Sequence, residues 1–553
     1  MMMQRFEQFI YLILHDVRKK RLVLLLSFLA FLASMMMFPS GSVLAKMLPS
    51  KSTNTFSIYV DLPNGSSYYE TQKVNQCVVE LLQKEKEIQN IEIFNGMGAP
   101  LDYAGLVKGS SFKSGEHVSE IVVNLSHAHD RDEPSYAMVH RLRPIIQKTC
   151  EPLVEKTSIK MVEQPAGPPT QAAIVIELYG DESHSLNALA DEIKRSVVQH
   201  PDLVDVDIMR DEVHPKLSLH IDQEKALRAG LSIEYIHKML YMGFEGMDVS
   251  YKNSEHSPSQ IPLYMVLSHD SKALSTMSKE ALMAKLSAFF LRNAQGMLVP
   301  LSEVVRIEEV SSTPTILSKN LQKMVSIVAE ADLVSQVYPL LDVRSAIKEA
   351  LKERYEVENT HLFDLRLRDK HSGEVFNLVW DGEMKVTMDT FRDLGGAFIA
   401  ALVLIFLLMV VYYKSFALSG IVLLGSFLSI IGVIFGHWLM DLFSKETFFL
   451  TATSLIGFIA LMGISSRNSL LLIDFTESMM KLGIEKKRAI ALASATRAKP
   501  IFLTAAAIIL ASTLLATDPI FGGLGVALIF GTIAAVIVSL VVVPVLMDNT
   551  KAI

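Results

Sequence analysis

Six apolar stretches, almost free of charged residues, govern what this chain can become. They cover 22–45, 394–413, 415–440, 447–473, 500–517 and 519–547. A helix needs about 20 apolar residues to cross the hydrocarbon of a bilayer. In lipid it must also satisfy its backbone groups internally, so each stretch predicts a spanning α-helix, the fifth with the least length to spare. The first stretch is long, begins behind 21 residues and shows no convincing cleavage site, so it predicts a retained span rather than a secretory leader.

The rest of the chain is too polar for a bundle alone. Of 553 residues, 50% are hydrophobic and 20% charged, which predicts a bundle plus a large water-facing domain. A net charge of −7 gives no basic surface for nucleic acid. Two cysteines, Cys77 and Cys150, can pair if the fold brings them together, but two thiols make no disulfide framework, and unpaired buried thiols are the favoured reading.

Orientation follows from the basic residues. Arg18, Lys19, Lys20 and Arg21 precede the first span, Lys414 separates the second from the third, and Lys481, Lys486, Lys487, Arg488, Arg497 and Lys499 crowd the fourth-to-fifth loop. With six alternating spans these all fall on one side, which the positive-inside rule makes the cytoplasm. Both termini are then inside: residues 1–21 form a cytoplasmic amphipathic helix and 548–553 a short tail. The helix rests on Phe6, Phe9, Ile10, Ile13 and Leu14 at helical spacing, which suits the inner membrane surface. Residues 46–393 lie outside.

That outer segment predicts two α+β units. Strand patterns at 55–62, 91–94, 120–125 and 158–162, with helix patterns at 69–87 and 135–155, give a βαββαβ order. After the loop at 164–169 the order restarts with a strand at 173–179, a helix at 185–200 and a strand at 203–208. An insertion of about 211–318 interrupts it before a strand at 324–329 and a helix at 340–354. The expected fold is thus a six-span α-helical membrane bundle (22–45 and 394–547) carrying an α+β domain of ferredoxin-like units with an inserted subdomain.

Ionisable groups inside spans are expensive, so each is a functional candidate. Arg467 stands out, with twenty uncharged residues before it in its span, Asn468 beside it, and Ser465, Ser466 and Ser469 around it. Arginine stays protonated, so it carries no exchangeable proton at ordinary pH, and buried it needs an anion. No carboxylate lies deep in any span. Asp393, Asp441, Asp474 and Asp518 all sit at span ends, and Asp474 is two turns from Arg467 near the basic side. The partner carboxylate is therefore expected on another chain. His437, beside Trp438, is read as interfacial. Thr504 can donate a hydrogen bond, to a partner or to its own helix backbone. Met239, Met242 and Met247 read as packing rather than as a Cu(I) site. No Cys/His metal spacing, phosphate loop or nucleophile–base constellation is visible, so neither a cofactor nor an enzyme is expected.

The segment 457–475, GFIALMGISSRNSLLLIDF, strongly resembles the fourth span in the C-terminal half of resistance–nodulation–division (RND) efflux permeases. So do 497–504 (RAKPIFLT), 518–524 (DPIFGGL), 391–395 (FRDLG), 46–49 (KMLP) and 165–169 (PAGPP) at their places. The resemblance covers nearly the whole chain. It implies porter subdomains at 52–164 and 165–385 with the insertion as a docking subdomain, a trimer, a periplasmic adaptor protein and an outer-membrane channel. It also implies multidrug export by proton antiport across the bacterial inner membrane, powered by the proton gradient. The family's basic relay residue falls on Arg467, with Asn468 beside it, and its hydroxyl and cytoplasmic basic residue fall on Thr504 and Arg497; Asp474 completes the candidate set.

Two departures follow. Many relatives have lysine where this chain has Arg467, which cannot titrate. The N-terminal half, with its carboxylate pair, is absent from this sequence, so a complementary chain is the expected partner. Two other readings stay open: a protein-export accessory subunit of the same topology, and a non-transporting scaffold or remnant.

Overall fold

The computed structural model describes residues 2–550 except 165, 166, 168, 269–277, 362, 445 and 446. The helix Met2–His15 turns its apolar face inward, burying Ile10, Ile13 and Leu14 against Leu418, Ile490 and Val545 at one end of the bundle. Asp16 ends it and caps the next helix, Val17–Met36, by accepting the Arg18 N–H at 2.8 Å.

Among the described residues five helical segments are long and apolar enough to cross a membrane: Glu383–Tyr413, Phe416–Phe443, Ala452–Lys481, Lys486–Ala516 and Gly522–Asn549. The expected first span, 22–45, is not one continuous helix. It stops at Met36, because Pro39 cannot continue the helical hydrogen bonding and Gly41 takes φ +70°. Its apolar part, 22–36, therefore spans about 22 Å rather than about 30 Å. Beyond the break the chain folds back onto the bundle: Val43 packs with Ile434 and Leu450, and Lys46 N–H donates to Leu450 O at 3.1 Å. The third segment packs closely on the sixth, since Gly432 and Gly436 leave no room for a Cβ against Phe530. The sixth passes through a π-helical turn, Val538–Val542, just before Pro544, whose missing N–H the wider turn accommodates.

The α+β domain sits between the first two of these membrane elements. Its first unit holds strands β1 (Thr55–Asp61), β2 (Ile88–Met97), β3 (Ser114–Leu125) and β4 (Ser158–Glu163), ordered β2-β3-β1-β4 and antiparallel throughout. Helices Tyr68–Leu82 and Ser135–Cys150 pack on it around Phe56, Ile58, Val74, Ile121, Met138 and Ile146. The first starts with a capping box, Ser67 with Glu70. Cys77 and Cys150 are joined in a disulfide, against the expectation of free thiols. The fold lays the two helices side by side and so brings together positions 73 apart in sequence, which spacing alone does not show.

The second unit begins with β5 (Ile174–Tyr179), helix Ser183–Val198 and β6 (Leu203–Met209). The insertion follows, with β7 (Pro215–Ile221), β8 (Met247–Lys252), β9 (Ile261–Met265), β10 (Phe290–Arg292), β11 (Leu298–Pro300) and β12 (Val305–Ser311). Strand β7 pairs with β12 at its root, β8 pairs with β9, and Ala226, Ile236, Leu286 and Val304 give it a core of its own. Met239 is partly buried against that core. The unit resumes with β13 (Ser318–Lys319), β14 (Gln322–Ala331), helix Val337–Leu351, β15 (Tyr355–Asn359), β16 (Leu365–Asp369) and β17 (Val375–Asp381). The sheet order is β13-β14-β5-β17-β16-β15, with β6 also paired to β14. Helix Glu383–Tyr413 leaves this sheet directly and runs into the bundle.

Candidate functional site

The helix Ala452–Lys481 buries Leu461, Ser465, Asn468, Ser469, Leu472 and Thr476 against its own bundle. Arg467 lies on the opposite face, with Ile456 and Gly463, and is exposed. Among the described residues it has no ion pair and no side-chain hydrogen bond. Asn468 is buried, so the two neighbours project to different sides of one helix.

Asp474 lies seven residues on, about 10 Å along the axis, and is not paired with Arg467. Its carboxylate accepts the Tyr413 hydroxyl at 2.9 Å and the Tyr412 hydroxyl at 3.3 Å. The sequence reading missed both tyrosines. Their signal was an aromatic pair at a span end, next to Lys414, which closes that helix in the left-handed region at φ 51°. Arg497 stacks over the Phe475 ring at 5.0 Å, and its buried Nε has no hydrogen-bond partner among the described residues. Thr504 is exposed, and its hydroxyl bonds its own helix, to Pro500 O at 3.1 Å and Ile501 O at 3.0 Å. The structure thus gathers Asp474, Arg497 and the tyrosines at the basic end of the bundle, while Arg467 stands apart and points out of it.

His437 differs from the interfacial expectation. It is wholly buried, with Nδ1 2.7 Å from Val433 O and Nε2 2.8 Å from Ser454 Oγ. The close approach that Gly436 allows to the sixth segment draws this face inward, while the neighbouring Trp438 keeps partial exposure.

Charges also concentrate between the two units of the α+β domain. A cleft of about 710 Å³ is lined by Asp61, Lys113, Lys160, Asp207, Ile208 and Met209, among others. Asp61 pairs with both Lys113 and Lys160, and Asp207 with Lys160 and, at 3.4 Å, with Lys194. Burial works against the Asp61 carboxylate, but the two ammonium groups outweigh it and hold it well below the usual range. Nearby, Arg143 bridges the units: it donates to Asp332 at 2.8 Å, Asp205 at 3.3 Å and Met161 O at 3.2 Å. At the membrane-facing base a second cavity is lined by Lys46, Lys108, Arg143, Glu163, Glu330 and Glu383. Burial pushes Glu163 up to about 7, against the opposing pull of Arg143 and Lys46. Among the described residues no group of three His, Cys, Asp or Glu side chains is arranged to hold a metal ion.

An apolar helical bundle bearing the outward Arg467 in mid-span, under a domain of two linked α+β units, has the architecture of a membrane permease. Residues 1–548 match the model of the AcrB/AcrD/AcrF family, and the chain belongs to that family of RND permeases. It is 26% identical over 382 residues to the swarming motility protein SwrC of Bacillus subtilis, covering 67% of this chain and 32% of the relative. It is 22% identical over 513 residues to the multidrug export protein AcrF of Escherichia coli, covering 91% and 45%. The cobalt-zinc-cadmium resistance protein CzcA of Cupriavidus metallidurans matches at 21% over 337 residues, covering 60% and 28%. The crystal structure of a heavy metal efflux pump superposes with a TM-score of 0.70 at 17% identity, covering 99% of this chain and 52% of that one. The chain thus spans about half or less of the length of the relatives it matches.

Proposed function

We propose that this chain is the C-terminal half of a proton-driven export permease, a secondary active transporter subunit rather than an enzyme, paired with a complementary chain that supplies the N-terminal half. The observation that carries this reading is Arg467, a permanent charge on the outer face of a membrane helix with no partner among the described residues. Lipid is a poor neighbour for such a group, and a carboxylate on a facing helix is a good one. The partner's carboxylates then bind the proton. Protonation weakens their attraction to Arg467, and the spans shift. Asp474, Tyr413 and Arg497 at the basic end hold the helices that move. Thr504, on the exposed face of the fifth segment, and Asn468 are the remaining polar groups of the relay.

The movement reaches the α+β domain through helix Glu383–Tyr413, which is continuous with β17 across Gly382. Substrate is captured in the cleft between the two units, whose volume suits a drug-sized molecule. Its mixture of Ile208 and Met209 with charged pairs favours an amphiphile over a bare metal ion. The disulfide supports an oxidising compartment for the α+β domain, the periplasm, with both termini in the cytoplasm of a bacterium's inner membrane. The assembly is a trimer that hands substrate to a periplasmic adaptor protein and an outer-membrane channel.

The test is affinity purification of the tagged chain from its native membranes, with mass spectrometry of what comes with it. The expected result is a second six-span chain with an acidic pair in its fourth span. Recovery of this chain only with itself would overturn the pairing and favour a non-transporting scaffold.

A further inference from the structure

We infer that the short extended segment 43–47 is a mechanical tie between the membrane bundle and the second α+β unit, anchored at Leu450 on one side and at Ser335 on the other. It joins the helix that carries Arg467 to the domain by a route separate from helix Glu383–Tyr413.

The backbone of this segment is used on both sides. Toward the fourth segment, Ala452–Lys481, it pairs in parallel with the residues that lead into that helix. Ala45 lies opposite Leu450, whose N–H donates to Leu44 O at 2.8 Å and whose carbonyl accepts the Lys46 N–H at 3.1 Å. These bonds use the neighbours of Ala45, so its own carbonyl points the other way. There it accepts the hydroxyl of Ser335.

The fourth segment adds one bond more. The first N–H groups of a helix have no partner within it. Thr451 and Ser454 form a capping box, and the Ala452 N–H donates to Met47 O at 3.1 Å. Side chains fix the segment in place. Val43 is buried against Ile434 and Leu450, and the Lys46 ammonium lies 5.3 Å over the Phe449 ring.

On the domain side, Ser335 and Gln336 lead into helix Val337–Leu351, which buries Leu340, Val343 and Ile347 in the core of the second unit. Both residues are themselves buried, where polar groups need partners. Ser335 finds Ala45, and Gln336 Nε2 donates to the Thr387 hydroxyl of helix Glu383–Tyr413 at 3.0 Å. One corner of the second unit thus holds both the extended segment and the second membrane segment.

Continuous helix, about 22 Å of it, separates Ala452 from Arg467. A shift of the fourth segment along its axis therefore arrives at Leu450 and Ala452, and the tie passes it to Ser335. A loop that merely covers the bundle needs apolar contact alone. Three backbone hydrogen bonds to the entry of one helix, and one side-chain bond to the entry of another, make a linkage.

The test is hydrogen exchange of the full chain, with whatever co-purifies, in discs of native membrane, read by mass spectrometry at both ends of the tie. Two substitutions loosen opposite ends. Ser335→Ala removes the hydroxyl on the domain side. Ala452→Pro removes the N–H on the membrane side; proline is accepted at the first position of a helix, and Thr451, at ψ 170°, already has the extended backbone that a following proline requires. Each change is expected to be felt at the far end. In Ser335→Ala the amides of Leu450 and Ala452 exchange about fivefold faster, the factor that loss of one net hydrogen bond gives, and in Ala452→Pro those of Leu340 and Leu341 do so. Ser335→Thr, which keeps the hydroxyl, is expected to exchange like the parent chain. Far-end exchange that stays unchanged in either loosened variant overturns the tie. Ser335→Ala leaves the bundle's own residues untouched, so its far-end reading decides alone if Ala452→Pro does not fold. Arg467 is intact in all three variants, so failure here and failure of the pairing proposal are read separately.

Discussion

At Glu163 the sequence shows only an acid at the end of a strand; its chemistry comes from the cavity that the two units close around it. Burial raises its folded pKa to about 7, above the usual carboxylate value. The sign follows from proton binding: the folded chain holds this proton more tightly than the unfolded chain does. Stability from this group is therefore full below the unfolded value and falls as pH rises through the folded one. With part of its surface reached by water, the loss is about 1–2 kcal/mol between about pH 4 and pH 7. Glu163→Gln is expected to remove that much of the pH dependence, measured as denaturant midpoints of the α+β domain across the range. An unchanged slope would mean that Glu163 titrates normally. The same scale shows what was legible in the sequence. A lone arginine in an apolar span is conspicuous without coordinates. The partners of Asp474 are not, because Tyr412 and Tyr413 are about sixty residues away and only helix packing brings them near. His437 was misread because its neighbour Trp438 signals an interface, while the signal for burial, two glycines four apart at Gly432 and Gly436, acts through a helix a hundred residues downstream.

Among the elements, apolar length identified five of the membrane segments and overstated the first. Charge-free composition continues to Ala45, but the Pro39 and Gly41 break is written in the same residues and decides where the helix stops. Strand and helix periodicity carries the α+β character of 46–393, yet strand order depends on pairings between distant segments, such as β14 with β5, that no local pattern contains. The disulfide between helices Tyr68–Leu82 and Ser135–Cys150 belongs here too. It closes a loop across 73 positions, so on the chain-entropy argument its removal costs about 4 kcal/mol. Thermal unfolding of the first unit, followed with and without reductant, is expected to drop by several degrees on reduction, and Cys77→Ser with Cys150→Ser to match the reduced protein. Identical melting in all three states would show that the helices hold their places without the bond.

For the whole molecule the question is what covers the face that carries Arg467, and the sign of one substitution separates the answers. If lipid covers it, Arg467→Leu removes a charge from hydrocarbon and leaves an apolar surface, a gain of about 2–3 kcal/mol. If a carboxylate of a complementary chain covers it, the same change leaves that carboxylate buried and unpaired, a loss of about 3–5 kcal/mol. Much of the second segment and the fifth is also exposed, at Leu404, Leu408, Phe502, Leu503, Leu510 and Leu514, but leucine and phenylalanine suit lipid and protein equally well and cannot distinguish the two. Arg467 can. Thermal unfolding of the assembly in discs of native membrane, so that any partner stays in place, is the measurement. The pairing reading requires the leucine variant to melt lower or to lose its companion, with Arg467→Lys, which keeps the charge, lying between. A leucine variant that melts higher places the arginine in lipid, and the half-permease reading then loses the observation on which it stands.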